Sequence, residues 1–394
     1  MSIKGNDQGT RQIGSRLRLG MVGGGRGAFI GGVHRMAARL DSRYDLVAGA
    51  LSSDPATAAA SAIDLGIASD RAYADYRMMA RAEADREDGI DVVAIVAPNK
   101  IHFDACKAFL EAGIHVICDK PMTSTLEEAL VLQKLADASG LVFMLTQNNT
   151  GYPMVRQARA MIREGKIGKI RNIRVSYIQD WLTTPLESSG HKQASWRMDP
   201  TSAGEGGVIA DLGVHAFNLA AFMSGLELDS VCADLRSCVE GRRLDDNANV
   251  LMRYREGATG TMWVSQVAPG HNNSLSIGIY GELGSLEWSG EENDYLRYSP
   301  YGQPPQLITR GGPGADGVAA HATRMPAGHP EGYIEGFANL YSNAADQIEV
   351  LKMSSKLDPL SADTPGTKEG VDGMRFVHAC IESSRAGAIW KNLI

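Results

Sequence analysis

Leu17-Arg-Leu-Gly-Met-Val-Gly23-Gly-Gly25-Arg26-Gly-Ala28 is the stretch that decides the fold. The apolar run from Leu17 to Val22 reads as a buried strand and leads straight into a glycine cluster. That cluster fits G-x-G-x-x-A at Gly23, Gly25 and Ala28, with Arg26 inside it. Gly23 allows a tight turn, Gly25 lets the backbone approach a pyrophosphate, and Ala28 is small enough for close helix–strand packing. Phe29 to Leu40 reads as a helix, whose exposed N-terminal N–H groups would receive the anion. Glycine turns are common. The placement after a strand, at the head of a βαβ series, makes this one a dinucleotide site.

Outward from that stretch, the next strands are Leu46–Leu51, Asp91–Val96, His115–Cys118 and Leu141–Thr146. Asp54-Pro55 supplies an N-cap and first-turn proline for an Ala-rich helix, and Ser124-Thr-Leu-Glu127 reads as a capping box. Strand and helix alternating in this way predict a Rossmann-type doubly wound parallel sheet over residues 17–147. After Gln147 the pattern changes. One helix, Met154–Glu164, precedes strands at Ile170–Gln179, Val250–Tyr254, Thr259–Gln266, Ser274–Tyr280 and Ser285–Trp288, several joined by short Gly-containing turns. A helix at Gly213–Met223 interrupts them. Tyr301 to Gly328 reads as a long loop, and Tyr333–Met353 and Gly370–Ala386 read as closing helices. The overall class is α/β, with an α+β domain of mostly antiparallel sheet over 148–394 and a loose polar tail over 1–16.

The chain has 394 residues, 44% of them hydrophobic, enough for two or three domains with their own cores. A net charge of −7 argues against a general nucleic-acid binder, which needs a basic stripe. The five cysteines, Cys106, Cys118, Cys232, Cys238 and Cys380, form no CxxC pair. They read as free thiols in a reducing cytosol, with no disulfide frame and no metal site. No apolar run nears the ~20 residues that cross a bilayer, and Met1 to Arg16 lacks the apolar core of a signal peptide. The expectation is a cytoplasmic protein without membrane or nucleic-acid partners.

Four further segments carry chemistry. Leu51-Ser52-Ser53-Asp54 lies where a ribose selector belongs; the serines suit either nicotinamide cofactor, which leaves NAD against NADP open with a lean to NAD. Pro98-Asn99-Lys-Ile-His102 follows the third strand, and strand C-termini of an open parallel sheet face the ligand crevice. His102 can line that crevice or be polar filler. Asp119-Lys120-Pro121 ends the next strand at the same edge, where the proline stops further pairing. Gly206-Gly-Val-Ile-Ala-Asp211-Leu-Gly-Val-His215 sets Asp211 and His215 four apart, on one face of a helix start. Asp211 there can tune the imidazole or simply cap the helix.

Taken together, Gly23-x-Gly25-x-x-Ala28, Ala97-Pro98-Asn99 with His102, Asp119-Lys120-Pro121, and Gly206-Gly207 leading to Asp211 and His215 resemble the Gfo/Idh/MocA oxidoreductases. The resemblance covers most of the chain in order and spacing. It implies a Rossmann domain followed by a domain whose open sheet face often joins subunits, here as a homodimer or homotetramer. It implies oxidation of a ring hydroxyl of a sugar or cyclitol, or reduction of the ketone, with NAD or NADP. Lys120 matches the lysine that hydrogen-bonds the reacting oxygen, and Asp211 and His215 match the other two catalytic positions. Asp119 stands where Glu is usual, and Asn218 where some inositol dehydrogenases carry an acid.

A secondary alcohol must lose its hydroxyl proton as hydride leaves, and a neutral imidazole can take that proton. His215 is therefore the expected base, with Lys120 stabilising charge on the oxygen and Asp211 orienting the pair. Asn148, Tyr152, Asp180, Trp181, Trp196 and Arg197 are expected substrate contacts, because a hydroxyl-rich ligand wants amides and aromatic faces. Two other functions fit the same residues. One is a glycosidase that oxidises transiently and recycles its cofactor; the other is a sugar or cofactor sensor without activity.

Overall fold

A computed structural model describes residues 16–315 and 317–393. The tail expected over residues 1–16 lies outside them, except for Arg16. The first sheet contains β1 (Leu17–Gly23), β2 (Tyr44–Ala50), β3 (Val92–Val96), β4 (His115–Cys118) and β5 (Phe143–Leu145). It is parallel throughout, in the order β2-β1-β3-β4-β5. The connecting helices are α1 (Phe29–Leu40), α2 (Pro55–Asp64), α3 (Tyr76–Asp85), α4 (Asn99–Glu111) and α5 (Leu126–Ser139). Every residue of β3 and β4 is buried, as suits strands covered by helices on both faces. Asp54 caps α2, accepting from the Thr57 N–H, with Pro55 in the first turn. The N-cap of α5 is Thr125, one residue later than the expected capping box, and the box does not close on the N-cap N–H. Thr125 accepts from the Glu128 N–H, and the Glu128 carboxylate accepts from the Ser124 N–H. Ser-Thr before Glu-Glu offers two registers, and the extended backbone at Thr125 selects the second.

The second half contains α6 (Pro153–Arg163), β6 (Ile170–Ile178), α7 (Lys192–Arg197), α8 (Pro200–Ala203), α9 (Val214–Ser224), β7 (Leu228–Arg236), β8 (Asn247–Tyr254) and β9 (Thr259–Ser265). Then follow β10 (Ser274–Gly281), β11 (Gly284–Ser289), β12 (Tyr295–Pro300), β13 (Gln306–Thr309), α10 (Val318–His321), α11 (Tyr333–Met353), α12 (Pro359–Ala362), α13 (Thr367–Arg385) and β14 (Lys391–Asn392). They build a nine-stranded sheet, β13-β12-β11-β10-β6-β9-β8-β7-β14. Its pairs are antiparallel except β6 with β9. Strands β8 and β9 alternate buried and exposed residues, so one face of this sheet packs and the other is open. The packed face is covered by α6, α9 and α13 through Met154, Val155, Phe217, Leu219, Phe376 and Val377.

Three features depart from the sequence reading. The stretch expected as a loop, Tyr301–Gly328, contains β13 and α10. Strands β7 and β12 carry charges on the open face, which masks their strand pattern. The chain also returns to the first sheet, because α11 packs its Phe337, Leu340, Tyr341 and Ile348 with Leu17, Leu19 and Val33 of β1 and α1. That return covers one face of the parallel sheet alongside α1. All five cysteines are free thiols. No described helix is long and apolar enough to cross a membrane.

Candidate active site

The β1–α1 loop leaves room where side chains would intrude. Gly23 has φ +79°, and a Cβ there would meet the Val96 carbonyl oxygen at 2.8 Å. At Gly25 a Cβ would meet the Leu51 carbonyl oxygen at 2.7 Å and Ser61 Oγ at 2.8 Å. The Gly25 N–H donates to that Leu51 oxygen at 3.1 Å, and Ser61 Oγ accepts from the Arg26 N–H at 3.0 Å. The Arg26 guanidinium turns outward to Asp64 as an exposed ion pair. Ala28 is the N-cap of α1 and makes no side-chain cap bond, so no cap side chain takes up the first-turn N–H groups. The close packing expected of Ala28 belongs instead to Gly31, where a Cβ would lie 2.3 Å from Gly24 Cα. Ala28 is only half-buried because it sits ahead of the helix rather than on the face that meets the strand. An uncapped helix start behind a side-chain-free turn fits a dinucleotide pyrophosphate.

At the second strand's end, Ser52 Oγ accepts from the Asp54 N–H at 3.1 Å, and Ser53 is exposed. The Asp54 carboxylate is occupied by Thr57, whose hydroxyl hydrogen bond holds its carboxyl below the usual range. After β3, Pro98 precedes α4, and Asn99 lines a small cleft shared with Trp196, Arg197, Asp211 and Gln266. His102 does not line the crevice as expected. It turns into the core, 1% exposed, with Nδ1 2.7 Å from the Pro121 carbonyl oxygen and Nε2 2.9 Å from that of Ala97. The ring thus lies between the end of β3 and the turn that carries Lys120.

That turn is fixed from both sides. Asp119 Oδ1 accepts from the Lys120 N–H at 2.8 Å and from Thr146 Oγ1 at 3.0 Å, and the Lys120–Pro121 bond is cis. Lys120 Nζ reaches across to the other half of the chain, donating to both Oδ1 and the main-chain oxygen of Asp211 at 2.8 Å each. Asp211 Oδ2 accepts from Arg197 Nε at 3.2 Å and from Gln266 Nε2 at 2.9 Å. Asp211 is no helix cap. It lies within a wide π-helical turn, Ile209–Gly213, that runs directly into α9. His215, one residue into α9, is buried, and its Nδ1 has no hydrogen-bond partner among the described residues.

Charge sets the protonation here. Burial would push the Asp211 carboxyl up, but the Lys120 ammonium and the Arg197 guanidinium outweigh it and hold the group well below the usual carboxylate range. Burial, and after it the Lys120 charge, hold the His215 imidazole well below its ordinary value, against an opposite pull from Asp211. The cluster therefore presents a fixed anion between two cations, beside a neutral imidazole.

The expected substrate residues are spread more widely. Arg197 lies 4.3 Å over the Trp196 ring and 5.9 Å from that of Trp181, so these three meet beside Asp211. Asn148 is buried in a short 3₁₀ turn after β5. Tyr152 is buried with its ring 5.3 Å from Trp288, and Asp180 Oδ2 accepts from the Gly270 N–H at 3.2 Å. Three further residues went unassigned in the sequence reading. Gln266, at the end of β9, holds Asp211, and Tyr177 of β6 meets the His215 ring edge-on at 6.0 Å. Tyr333 opens α11, is 39% exposed, and meets the Phe337 ring edge-on at 5.2 Å. The terminal position of Gln266 in an alternating strand was its only signal; Tyr177 had none, and Tyr333 closes the His329–Tyr333 stretch that follows the expected loop and could reach the crevice.

Residues 17–147 match the model of an oxidoreductase family with an NAD-binding Rossmann fold, and residues 155–287 match the GFO/IDH/MocA C-terminal domain. The chain belongs to the Gfo/Idh/MocA oxidoreductases. Within this family it is similar to an oxidoreductase structure from Sinorhizobium meliloti, at 51% identity and TM-score 0.87 over 96% of this chain and 100% of that one. An inositol dehydrogenase homolog from Azotobacter vinelandii, solved with NADH and myo-inositol, is 36% identical with TM-score 0.88, over 96% and 98% of the two chains. Levoglucosan dehydrogenase of Pseudarthrobacter phenanthrenivorans is 29% identical over 71% of this chain and 75% of that protein.

Proposed function

We propose that this Gfo/Idh/MocA protein is an NAD-dependent dehydrogenase of a ring hydroxyl on a sugar, sugar derivative or cyclitol. The observation that carries this reading is the meeting of Lys120, Asp211 and His215, from two halves of the chain, at the C-terminal edge of the parallel sheet. The β1–α1 loop, with Gly23, Gly25 and the uncapped start of α1, would hold the pyrophosphate; Ser52 and Ser53 would face the adenosine ribose, and Pro98, Asn99 and Asp119 the nicotinamide half. Bound there, NAD would supply the acceptor for the hydride of the carbinol carbon.

The chain's own groups supply the proton chemistry. Lys120 donates a hydrogen bond to the carbinol oxygen and stabilises the charge that develops there. His215, kept neutral by burial and by the Lys120 charge, accepts the hydroxyl proton. Asp211 stays ionised and holds the Lys120 ammonium in place. Trp196, Trp181, Arg197, Asn148, Tyr152 and Asp180 are the proposed substrate contacts, with Trp196 and Arg197 nearest to Asp211. The open face of the large sheet exposes Leu251, Trp263, Tyr295 and Leu307, which fits a homo-oligomer joined through that face. Free thiols throughout suit a reducing cytoplasm.

The test is an activity screen with NAD+ and NADP+ against myo-inositol, levoglucosan, free hexoses and an aryl glycoside, following absorbance of the reduced nicotinamide and identifying products. Stoichiometric reduction of NAD+ with a free polyol is the expected result. Glycoside cleavage without net reduction would replace this reading with the redox-cycling glycosidase, and inertness to every compound would favour the sensor.

A further inference from the structure

Asp211 is held at its tip by Lys120, Arg197 and Gln266, but what holds its backbone is a second carboxylate. Asp245, two residues before β8, is buried, with Oδ1 accepting from the Gly207 N–H at 2.7 Å and Oδ2 from the Ile209 N–H at 2.8 Å. Its main-chain oxygen accepts from the Val208 N–H at 2.8 Å, so three successive amides end on one residue. Gly207 in turn accepts the Asp211 N–H on its carbonyl at 3.0 Å. The junction is tight, since a Cβ on Gly207 would lie 2.0 Å from the Asp245 oxygen. Among the described residues no cationic side chain pairs with Asp245, in contrast to its neighbour Asp246, which is bound by Arg242. Its carboxylate faces the N–H groups that open the Ile209–Gly213 turn, the arrangement a helix start favours, while burial, aided by the neighbouring Asp246 charge, pushes its carboxyl up. The same corner reaches the site a second way. The Asp246 carbonyl accepts from the Gln266 N–H at 2.9 Å, and the Gln266 side chain ends on Asp211.

We infer that Asp245 is a positioning residue for the proton-transfer site: it fixes the wide turn so that Asp211 meets Lys120 and His215 enters α9 at the right height. The inference rests on the dehydrogenase reading for its catalytic consequence but not for its geometric one, and the experiment separates the two. In the full-length protein labelled with ¹³C at aspartate carboxyls, the Asp211 signal, assigned by Asp211→Asn, is titrated in the wild type and in Asp245→Asn. Asn keeps the shape of the side chain but turns an NH₂ toward one of the two amides. The expected result is an Asp211 that stays ionised to the acid edge of the folded state in the wild type. In the variant its titration should rise into the pH range where the protein remains folded, as the Lys120 contact loosens.

With NAD+ and myo-inositol, the variant's kcat should fall roughly 10–100-fold, the cost of a misplaced catalytic group. The Asp211→Asn/Asp245→Asn double variant should be no slower than Asp211→Asn alone. A folded Asp245→Asn with an unmoved Asp211 titration would overturn the inference, and so would losses that multiply. If the Asn variant does not fold, Asp245→Ser, which admits water to the freed amides, takes its place; failure of both to fold would make Asp245 a folding element and end the proposal. Lack of turnover by the wild type across the whole substrate screen would sink the dehydrogenase reading while leaving the titration to decide this one.

Discussion

The β1–α1 loop and the Asp211 turn lie at the same edge of the molecule and are built by opposite means. In the loop, side chains are kept out: Gly23, Gly25 and Gly31 stand where a Cβ would strike backbone or Ser61, and α1 starts without a cap. At the turn, side chains are crowded in, with Lys120, Arg197 and Gln266 all ending on one carboxylate beside a buried imidazole. A pyrophosphate can be held by backbone N–H groups alone, whereas a proton has to be moved by titratable side chains whose charges are set by one another. Damage to the two regions should therefore have separable signatures.

The largest effect is expected at the crowded end. Lys120→Met should lower kcat roughly 10²–10³-fold, while NAD+ affinity, read by tryptophan fluorescence, stays nearly unchanged. Equal loss of binding and turnover would erase the distinction between the two regions. At the open end, Gly25→Val should do the converse. Forcing a side chain against Leu51 and Ser61 costs about 1–3 kcal/mol, which is roughly ten- to hundredfold in NAD+ affinity. The Asp211 and His215 titrations should not move.

A smaller effect sharpens the electrostatics. Because the folded protein lowers the His215 pKa, its imidazole remains neutral to more acid pH than a free histidine, and the acid limb of kcat/KM assigned to it lies below pH ~6.5. Burial stays and the Lys120 charge goes in Lys120→Met, while the freed Asp211 charge favours the protonated ring. The His215 pKa should then rise, as seen in the ring carbon shifts against His215→Asn. A fall would reverse the assigned sign. The smallest change is expected for Arg197→Leu. Lys120 and Gln266 still hold Asp211 there, so kcat/KM should drop about fivefold, on the order of 1 kcal/mol.

The same contrast explains what could be read in the sequence. The glycine loop is local, and so the strand Leu17–Val22, the helix Phe29–Leu40 and the Asp54 cap were all visible as short patterns. Lys120 and Asp211 were visible as members of motifs, but their contact spans 91 positions and no spacing rule contains it. His102 misled because a helix position after a crevice strand has two faces, and the choice depends on the Pro121 carbonyl, which only the fold brings near. Gln266 and Tyr177 were silent because their neighbours lie on other strands and on α9. The open-face strands β7 and β12 were hidden for a related reason: their outward residues are polar, and only the partner strands show which side is buried.

A crystal structure of the wild-type protein with NADH and myo-inositol tests the account most directly. One hydroxyl oxygen on the inositol ring should sit within hydrogen-bond distance of both Lys120 Nζ and the His215 ring, on the nicotinamide side of the Asp211 carboxylate. A polyol bound with its hydroxyl groups out of reach of both, or an imidazole turned away from the nicotinamide, would contradict it.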